Sequence, residues 1–421
     1  MCNAKFDVIV AGGGFAGVGA ALAAAREGAK VLLFDKNNSL GGAAVGCLVN
    51  PFMPYWTLDP ETKEKILLSR GIFEEIVNDL RKMGGMPETG TMFNEEYVKI
   101  LLNRKMKEAG VTLLFHSYLI GADVDEDGKV NSVTVANKSG LQVYEADYFI
   151  DATGDGDLAV LCGCPYHVGR PEDGLCQPMT LCFRLDGIDK TKFFEERPAM
   201  QELYKQKQAE GKIINPRENI LVFNMPQDHV LHFNTTRIIK KNPVDALDVT
   251  QAEIDVREQV YEMFTFLKEN FESCKNAQLL MTAAEIGVRE SRMIEGEYIL
   301  TQEDLVSCVK FEDSITACNY DIDIHNPAGA GTSPYYFPNG EYYTVPYRCL
   351  TPKGTTNLLT AGRCISSTHE AQASYRIMPT CVTLGEAAGT AAALAKKSEC
   401  GVKEIDVKKL QEILVKNGAV I

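Results

Sequence analysis

Phe6-Asp7-Val8-Ile9-Val10-Ala11 runs directly into Gly12-Gly13-Gly14-Phe15-Ala16-Gly17, and this stretch decides the fold. The apolar, β-branched run predicts a buried parallel strand. The glycines match Gly-x-Gly-x-x-Gly, the turn that binds a dinucleotide. Gly12 makes the tight turn, Gly14 lets backbone approach a pyrophosphate, and Gly17 lets helix and strand pack closely. An Ala-rich helix follows over about residues 16–27, stopped by Gly28. Its N-terminus would receive the pyrophosphate. Val31–Phe34 is the next strand, and Asp35 ends it, 18 residues past Gly17. An acid there bonds ribose hydroxyls and repels a 2′-phosphate, which disfavours NADP. Phe15, Ala16 and Lys36 join these residues as expected cofactor contacts.

Outward from this unit, the chain has 421 residues, enough for two or three domains. With 45% hydrophobic and 24% charged residues, it can bury a large core. Forty-three basic residues stand against 57 acidic ones, a net charge of -14. That balance argues against nucleic acid and anionic membranes as partners. No apolar run reaches the ~18 residues of a membrane span. Nothing near Met1 reads as an export signal, so a cytoplasmic protein is expected. The 13 cysteines are irregularly spaced and read as buried, reduced thiols. Cys162-Gly163-Cys164 is weak evidence for metal, and no metal is expected.

Helices are predicted over 62–83 and from Asn94, with strands at 111–115, 118–124, 130–136 and 141–144. From about 165 to 350 the texture changes. Strands at 178–184, 219–223 and 230–237 mix with helices at 191–210 and 251–273, the second opened by a capping box at Thr250 and Glu253. Residues 277–286 read as a strand and 326–346 as a long loop with short strands. A buried strand at 357–361 and Gly/Ala-rich helices complete the chain. The expected architecture is α/β: a three-layer Rossmann-type FAD-binding domain with an inserted α+β substrate domain. The first is built from 1–164 and 350–421, the second from 165–349.

Three features favour FAD over NAD. Leu40-Gly41-Gly42-Ala43 allows backbone contact with a long cofactor. Thr153-Gly154-Asp155 follows a second buried strand. Gly362-Arg363 ends a third, followed by Met378-Pro379-Thr380 opening a helix. Together these segments resemble the glutathione-reductase-type FAD flavoproteins. More narrowly, the chain resembles a family of largely uncharacterised bacterial FAD-dependent oxidoreductases. Ile150–Asp157, Gly287–Arg292, Asp321–His325, Gly362–Ser366 and Thr368–Cys381 carry that likeness across nearly the whole chain. The resemblance implies FAD and names no substrate. Leu119 completes the expected cofactor contacts. Arg363 stands where many superfamily members have an Asp bonding the ribityl chain, so that contact must differ here. Gly154-x-Gly156-x-x-Ala159 matches a second nucleotide pattern, but Asp155 and Asp157 would repel a pyrophosphate. A separate electron donor or acceptor is therefore expected, and a homo-oligomer is left open.

His369 lies between two cofactor segments and is a candidate proton shuttle. Arg376 and Arg289 are candidates to hold an anionic group or neutralise reduced flavin. Arg289, Glu290 and Arg292 read equally as a structural ion-pair network. His325 is a further catalytic candidate; it alternates with Asp321 and Asp323, which places the three on one face of a strand, an arrangement that also raises metal binding but lacks a further ligand cluster. Cys47 follows Gly41-Gly42, but Phe52 holds the position of a redox partner, which counts against a dithiol reductase. The expected activity is hydride transfer between flavin and a small polar molecule: a sugar, hydroxy acid or unsaturated acid. The competing expectation is a flavin-bearing electron-transfer subunit working with partner proteins.

Overall fold

The computed structural model describes residues 2–421. Strand Cys2–Ala11 lies between Val31–Phe34 and Gly140–Asp151, parallel to both, with Val8 opposite Val31 and Ala11 opposite Asp151. Thr112–Leu114 extends one side of this sheet in parallel. Val130–Asn137 and Tyr118–Val124 extend the other as an antiparallel ribbon. Leu358–Thr360 returns from late in the chain to pair in parallel with Gly140–Asp151. The apolar strands of the parallel centre are buried on both faces, as parallel sheets require.

The first helix, Phe15–Arg26, is buried along most of its length against the long helix Met378–Ser398. Glycine permits the crossing. A Cβ on Gly389 would stand 2.1 Å from Ala20 O, and one on Gly19 would stand 2.3 Å from Val382 O. Backbone therefore meets backbone, and a bulkier residue must push the helices apart. The same long helix carries Glu386, only 2% exposed, which accepts the Ile72 N–H at 3.0 Å. That bond serves the start of helix Ile72–Lys82, whose N-cap is Gly71 and has no side chain to offer.

A second core lies under an antiparallel sheet ordered Val222–Asn224, Leu231–Phe233, Phe183–Asp186, Gln278–Thr282. Helices Lys190–Ala209 and Ala246–Asn270 cover it with Phe193, Met200, Tyr204, Val256 and Met263. Its buried residues run from Met179 to Ile286, with Leu48 added. Leu300, Ile315, Tyr343, Val345 and Tyr347 instead join the core of the parallel sheet. The expected insertion at 165–349 is thus not one packing unit.

Several local expectations need correction. Residues 62–83 are not one helix: Lys65–Leu67 pairs with Trp56–Leu58, and Gly71 at φ 59 separates this hairpin from the helix. The box at Thr250 is not a cap, because the helix starts earlier. Asp245 accepts from Leu247 N and Asp248 N, while the Thr250 hydroxyl bonds back to Ala246 O. The strands of the second sheet are shorter than expected, since irregular backbone flanks them. Among the described residues no single helix is long and apolar enough to cross a membrane.

Two predictions follow from the long helix. Gly389→Ala should destabilise the protein by about 1–3 kcal/mol through overpacking, although alanine favours helix by about 1 kcal/mol. Thermal denaturation tests this, and an unchanged midpoint would refute the tight crossing. Burial pushes the Glu386 carboxyl from 4.5 up to about 7, with the Ile72 N–H and Arg26 pulling the other way. Between those values the native state holds a proton that the unfolded chain has released, so stability falls as pH rises through that window. Glu386→Gln keeps an acceptor for Ile72 and should flatten the fall in midpoint between about pH 5 and 8.

Candidate active site

The ends of three parallel strands frame one groove. Gly12, Gly14, Phe15 and Ala16 line it from the first turn, and Asp35 and Lys36 from the second strand. Gly41, Gly42 and Ala43 close one side, Thr153, Gly154 and Asp155 the floor, and Gly362, Arg363 and Met378 the far end. Three expected contacts lie elsewhere. Gly17 packs on the turn itself, where a Cβ would stand 1.8 Å from Gly12 O. Leu119 pairs with Val135 in the ribbon and does not line the groove. Thr380 is 1% exposed and its hydroxyl bonds Cys318 Sγ.

The groove suits a long dinucleotide. Gly14 is the N-cap of the first helix and supplies no side-chain cap, so the first N–H groups there remain for a ligand. A Cβ on Gly42 would meet Gly14 Cα at 2.8 Å, so the two glycine loops touch without side chains between them. Asp35 accepts from Gly13 N and, at 2.7 Å, from Asn37 N. It braces the turn and retains lone pairs for ribose. Burial raises its carboxyl above the ordinary value, and the two N–H bonds and Lys36 oppose this. Glu285 reaches over the groove to Asn37 Nδ2 at 3.3 Å and Lys36 Nζ at 3.4 Å.

Arg363 has its own partner. Its Nη2 donates to Asp155 Oδ1 at 3.0 Å, and the Ser291 hydroxyl donates to the same oxygen at 2.6 Å. Burial works against ionising Asp155, but Arg363 and Ser291 hold its carboxyl below the ordinary range. Gly154 leaves room for the guanidinium, since a Cβ there would stand 2.6 Å from Arg363 Nη2. Arg363 Nη1 is buried without a partner. Cys47 is buried against Ile286 O at 3.7 Å. None of the described cysteines forms a disulfide.

The groove opens into a cavity of about 440 Å³. Ala43, Val288, Arg363, Arg376 and Met378 line both spaces. Phe223 of the second sheet lines it, with Asn234 just past strand Leu231–Phe233 and Arg217 in the loop before Val222–Asn224, and the hairpin Ile322–His325/Thr332–Tyr335 supplies Asp323 and His325. His325 Nδ1 lies 3.2 Å from Arg237 Nη2, and Nε2 lies 3.1 Å from Asp323 Oδ2. Arginine only donates, so Nδ1 accepts and the proton sits on Nε2, directed at Asp323. Burial, then Arg289, pull the imidazole down to about 3, with Asp323 opposing. The ring is neutral at physiological pH. Burial disfavours ionised Asp323, but the His325 N–H and the arginines Arg376 and Arg289 outweigh it and hold the carboxyl far below its usual range. The Tyr320 hydroxyl reaches Asp323 Oδ2 at 3.5 Å. Asp321 and Asp323 do not form a metal cluster with His325: no group of metal-ligating side chains occurs among the described residues.

His369 differs from expectation. It does not sit on an irregular polar stretch: it opens the buried helix His369–Tyr375, 4% exposed, with Nδ1 2.7 Å from Glu290 Oε1. It lines neither space. The charged cluster divides. Glu290 serves His369 and Gln177 N, and Arg292 pairs with Asp157 at 2.8 Å. Arg289 alone lines the cavity, its Nη1 donating to Pro178 O and Thr180 Oγ1, each at 2.6 Å. Sequence reasoning missed Arg217, Tyr320 and Glu285. None sits in a motif; only tertiary folding brings them here.

The chain matches the FAD dependent oxidoreductase family over residues 7–414. It belongs to that family. It is an FAD-dependent enzyme, and the glycine-lined groove just described fits the cofactor. Protein FixC of Azorhizobium caulinodans is 34% identical over 171 residues, which cover 38% of this chain and 39% of FixC. The chain therefore matches well under half the length of that curated relative. A geranylgeranyl bacteriochlorophyll reductase-like protein from Thermoplasma acidophilum superposes over 98% of this chain and 83% of its own, at 13% identity and TM-score 0.46. The flavin-dependent brominase Bmp2 covers 98% and 83%, at 12% identity and TM-score 0.49.

Purified protein should be yellow and release FAD on denaturation. Asp35→Ala removes a charged acceptor worth roughly 1.5–3 kcal/mol. It should weaken FAD retention about tenfold or more, measured by flavin fluorescence after gel filtration. Full retention would remove Asp35 from cofactor binding.

Proposed function

We propose that this enzyme, built like the glutathione-reductase-type flavoproteins, exchanges hydride with a small polar organic substrate held in the 440 Å³ cavity. The observation that carries this reading is the junction: the cofactor groove and the cavity share Ala43, Val288, Arg363, Arg376 and Met378. FAD bound in the groove supplies the two-electron chemistry at its ring. Met378 begins a helix with Pro379 in its first turn, so the positive end of that helix faces the junction and favours negative charge there.

The substrate hydroxyl is oriented by the Tyr320–Asp323–His325 chain. Asp323 is its ionised acceptor and orients a substrate hydroxyl. Tyr320 is its neutral donor, raised by burial. His325 fixes Asp323 through Nε2–H. His369 acts behind this site: its partner Glu290 holds Gln177, whose side chain accepts the His325 N–H at 3.3 Å. Oxidation of an alcohol would move its carbon-bound hydrogen, with the electron pair, to the cofactor, while its hydroxyl, held on Asp323, would release its proton to solvent. A separate acceptor then takes the electrons. The electron-transfer-subunit reading calls for a broad apolar face beside the flavin edge; the wall there carries Arg363 and Arg376 instead.

Asp323→Asn should bind FAD normally yet lower kcat by about 10²-fold, the scale of a misplaced reacting group. Anaerobic bleaching of bound flavin by a panel of hydroxy acids, sugars and unsaturated acids reads the reaction directly. Equal bleaching rates in both proteins would remove Asp323 from the chemistry.

A further inference from the structure

The cavity has a charge pattern that narrows its ligand. Four guanidinium groups line it: Arg217, Arg289, Arg363 and Arg376. Only two carboxylates do so, Glu218 and Asp323. Arg237 stands directly behind, 1% exposed, and Asp155 stands behind Arg363. Counting both leaves the same excess of positive charge.

The pairing is uneven. Arg363 has Asp155, Arg237 has Glu218 at 3.3 Å, and Arg376 has Asp323 at 3.7 Å. Arg289 has only the neutral acceptors Pro178 O and Thr180 Oγ1, both on one nitrogen. Its other donors have no protein partner among the described residues. Arg376 Nε is buried and unpartnered too, and its Nη2 donates to Asp323 O at 3.4 Å beside the Asp323 carboxylate. Both side chains line the cavity, and Arg289 Nε and Nη2 and Arg376 Nη1 have no partner among the described residues. Buried cations without partners are unfavourable unless a ligand completes them.

We infer that the substrate of this enzyme is a small organic carboxylate, its carboxylate bound between Arg289 and Arg376 at the mouth of the cofactor groove. The inference rests on the proposed hydride-exchange reading and adds the substrate class. Planar guanidinium forks match a planar carboxylate in two parallel hydrogen bonds. Arg289 is already fixed by its two acceptors, so little freedom is lost on binding. Burial, followed by Arg376, Arg217 and Arg237, pulls its guanidinium down to about 9, and an anion would relieve that strain. The side-chain amide N–H groups of Asn219 and Asn234 remain for other polar groups of the ligand.

The test uses the holoenzyme and four probes: malonate, succinate, the uncharged succinamide, and inorganic phosphate. Binding is read from perturbation of the bound-flavin spectrum and from the shift in unfolding midpoint. Malonate or succinate should bind at least tenfold more tightly than succinamide and phosphate. Arg289→Gln should lose at least tenfold in carboxylate affinity at full FAD content, and Arg289→Lys should recover part of it. Succinamide binding as tightly as succinate would overturn the inference, and so would phosphate binding as tightly as the carboxylates. Should Arg289→Gln misfold, the comparison of probes on the unaltered enzyme still decides. The two readings fail separately. Carboxylate binding without any flavin bleaching sinks hydride exchange alone, whereas bleaching by neutral substrates only sinks the carboxylate assignment alone.

Discussion

Backbone must touch backbone where the chain first turns, and the rest of the molecule is arranged around that contact. A Cβ on Gly12 would stand 2.4 Å from Ala152 O, and one on Gly385 would stand 1.9 Å from Ala16 O. Segments from the first, middle and last parts of the chain therefore meet within atomic contact at one turn. Side chains there would separate the three strands whose ends form the cofactor groove. The glycines are thus positional requirements, and they explain why the late strand Leu358–Thr360 can dock beside Gly140–Asp151.

Once those strand ends are fixed, charge settles the remaining geometry. Asp35 braces the first turn through Gly13 and Asn37. Asp155 and Arg363, from two different strand ends, pair across the floor of the groove. An arginine, not an acid, follows Gly362, and the acid that pairs with it comes from the neighbouring strand. Asp155 is thereby neutralised, which answers the repulsion it would otherwise exert on a pyrophosphate.

The parallel framework was legible because its signals are local. Gly12 to Asp35 states a strand, a turn, a helix and a strand in sequence order, and the observed helix ends at Arg26, next to the expected stop. The second sheet was less legible. Its strands are short, with Val222–Asn224 and Leu231–Phe233 spanning 3 residues each, too few for a period-2 pattern to declare itself. The helix beginning at Ala246 was entered at the wrong residue because Asp245 and Thr250 are both good caps, and only tertiary packing chooses between them. The arginines divide the same way. Arg376 and Arg289 stand in motifs, whereas Arg217 has no sequence neighbour that marks it. His369 misled for a related reason. A histidine between cofactor segments reads as exposed chemistry, yet its partner Glu290 lies 79 residues away and is fully buried.

That buried pair links the two halves of the site. Glu290 accepts from Gln177 N, the Gln177 amide donates to Gln372 at 3.1 Å, and Gln372 donates to Arg289 O at 2.8 Å. The Gln177 oxygen receives the His325 N–H. One connected network thus sets the backbone of both Arg289 and His325 from a helix that belongs to the cofactor side. Gathering arginines around a cavity is electrostatically unfavourable, and a loose scaffold would let them swing out to solvent. Here neutral hydrogen bonds hold Arg289 at Pro178 and Thr180 without quenching its charge. A carboxylate partner would hold it more strongly but would also occupy the position a ligand needs. Retaining an unpaired, fixed cation is the arrangement expected where local stability yields to a site.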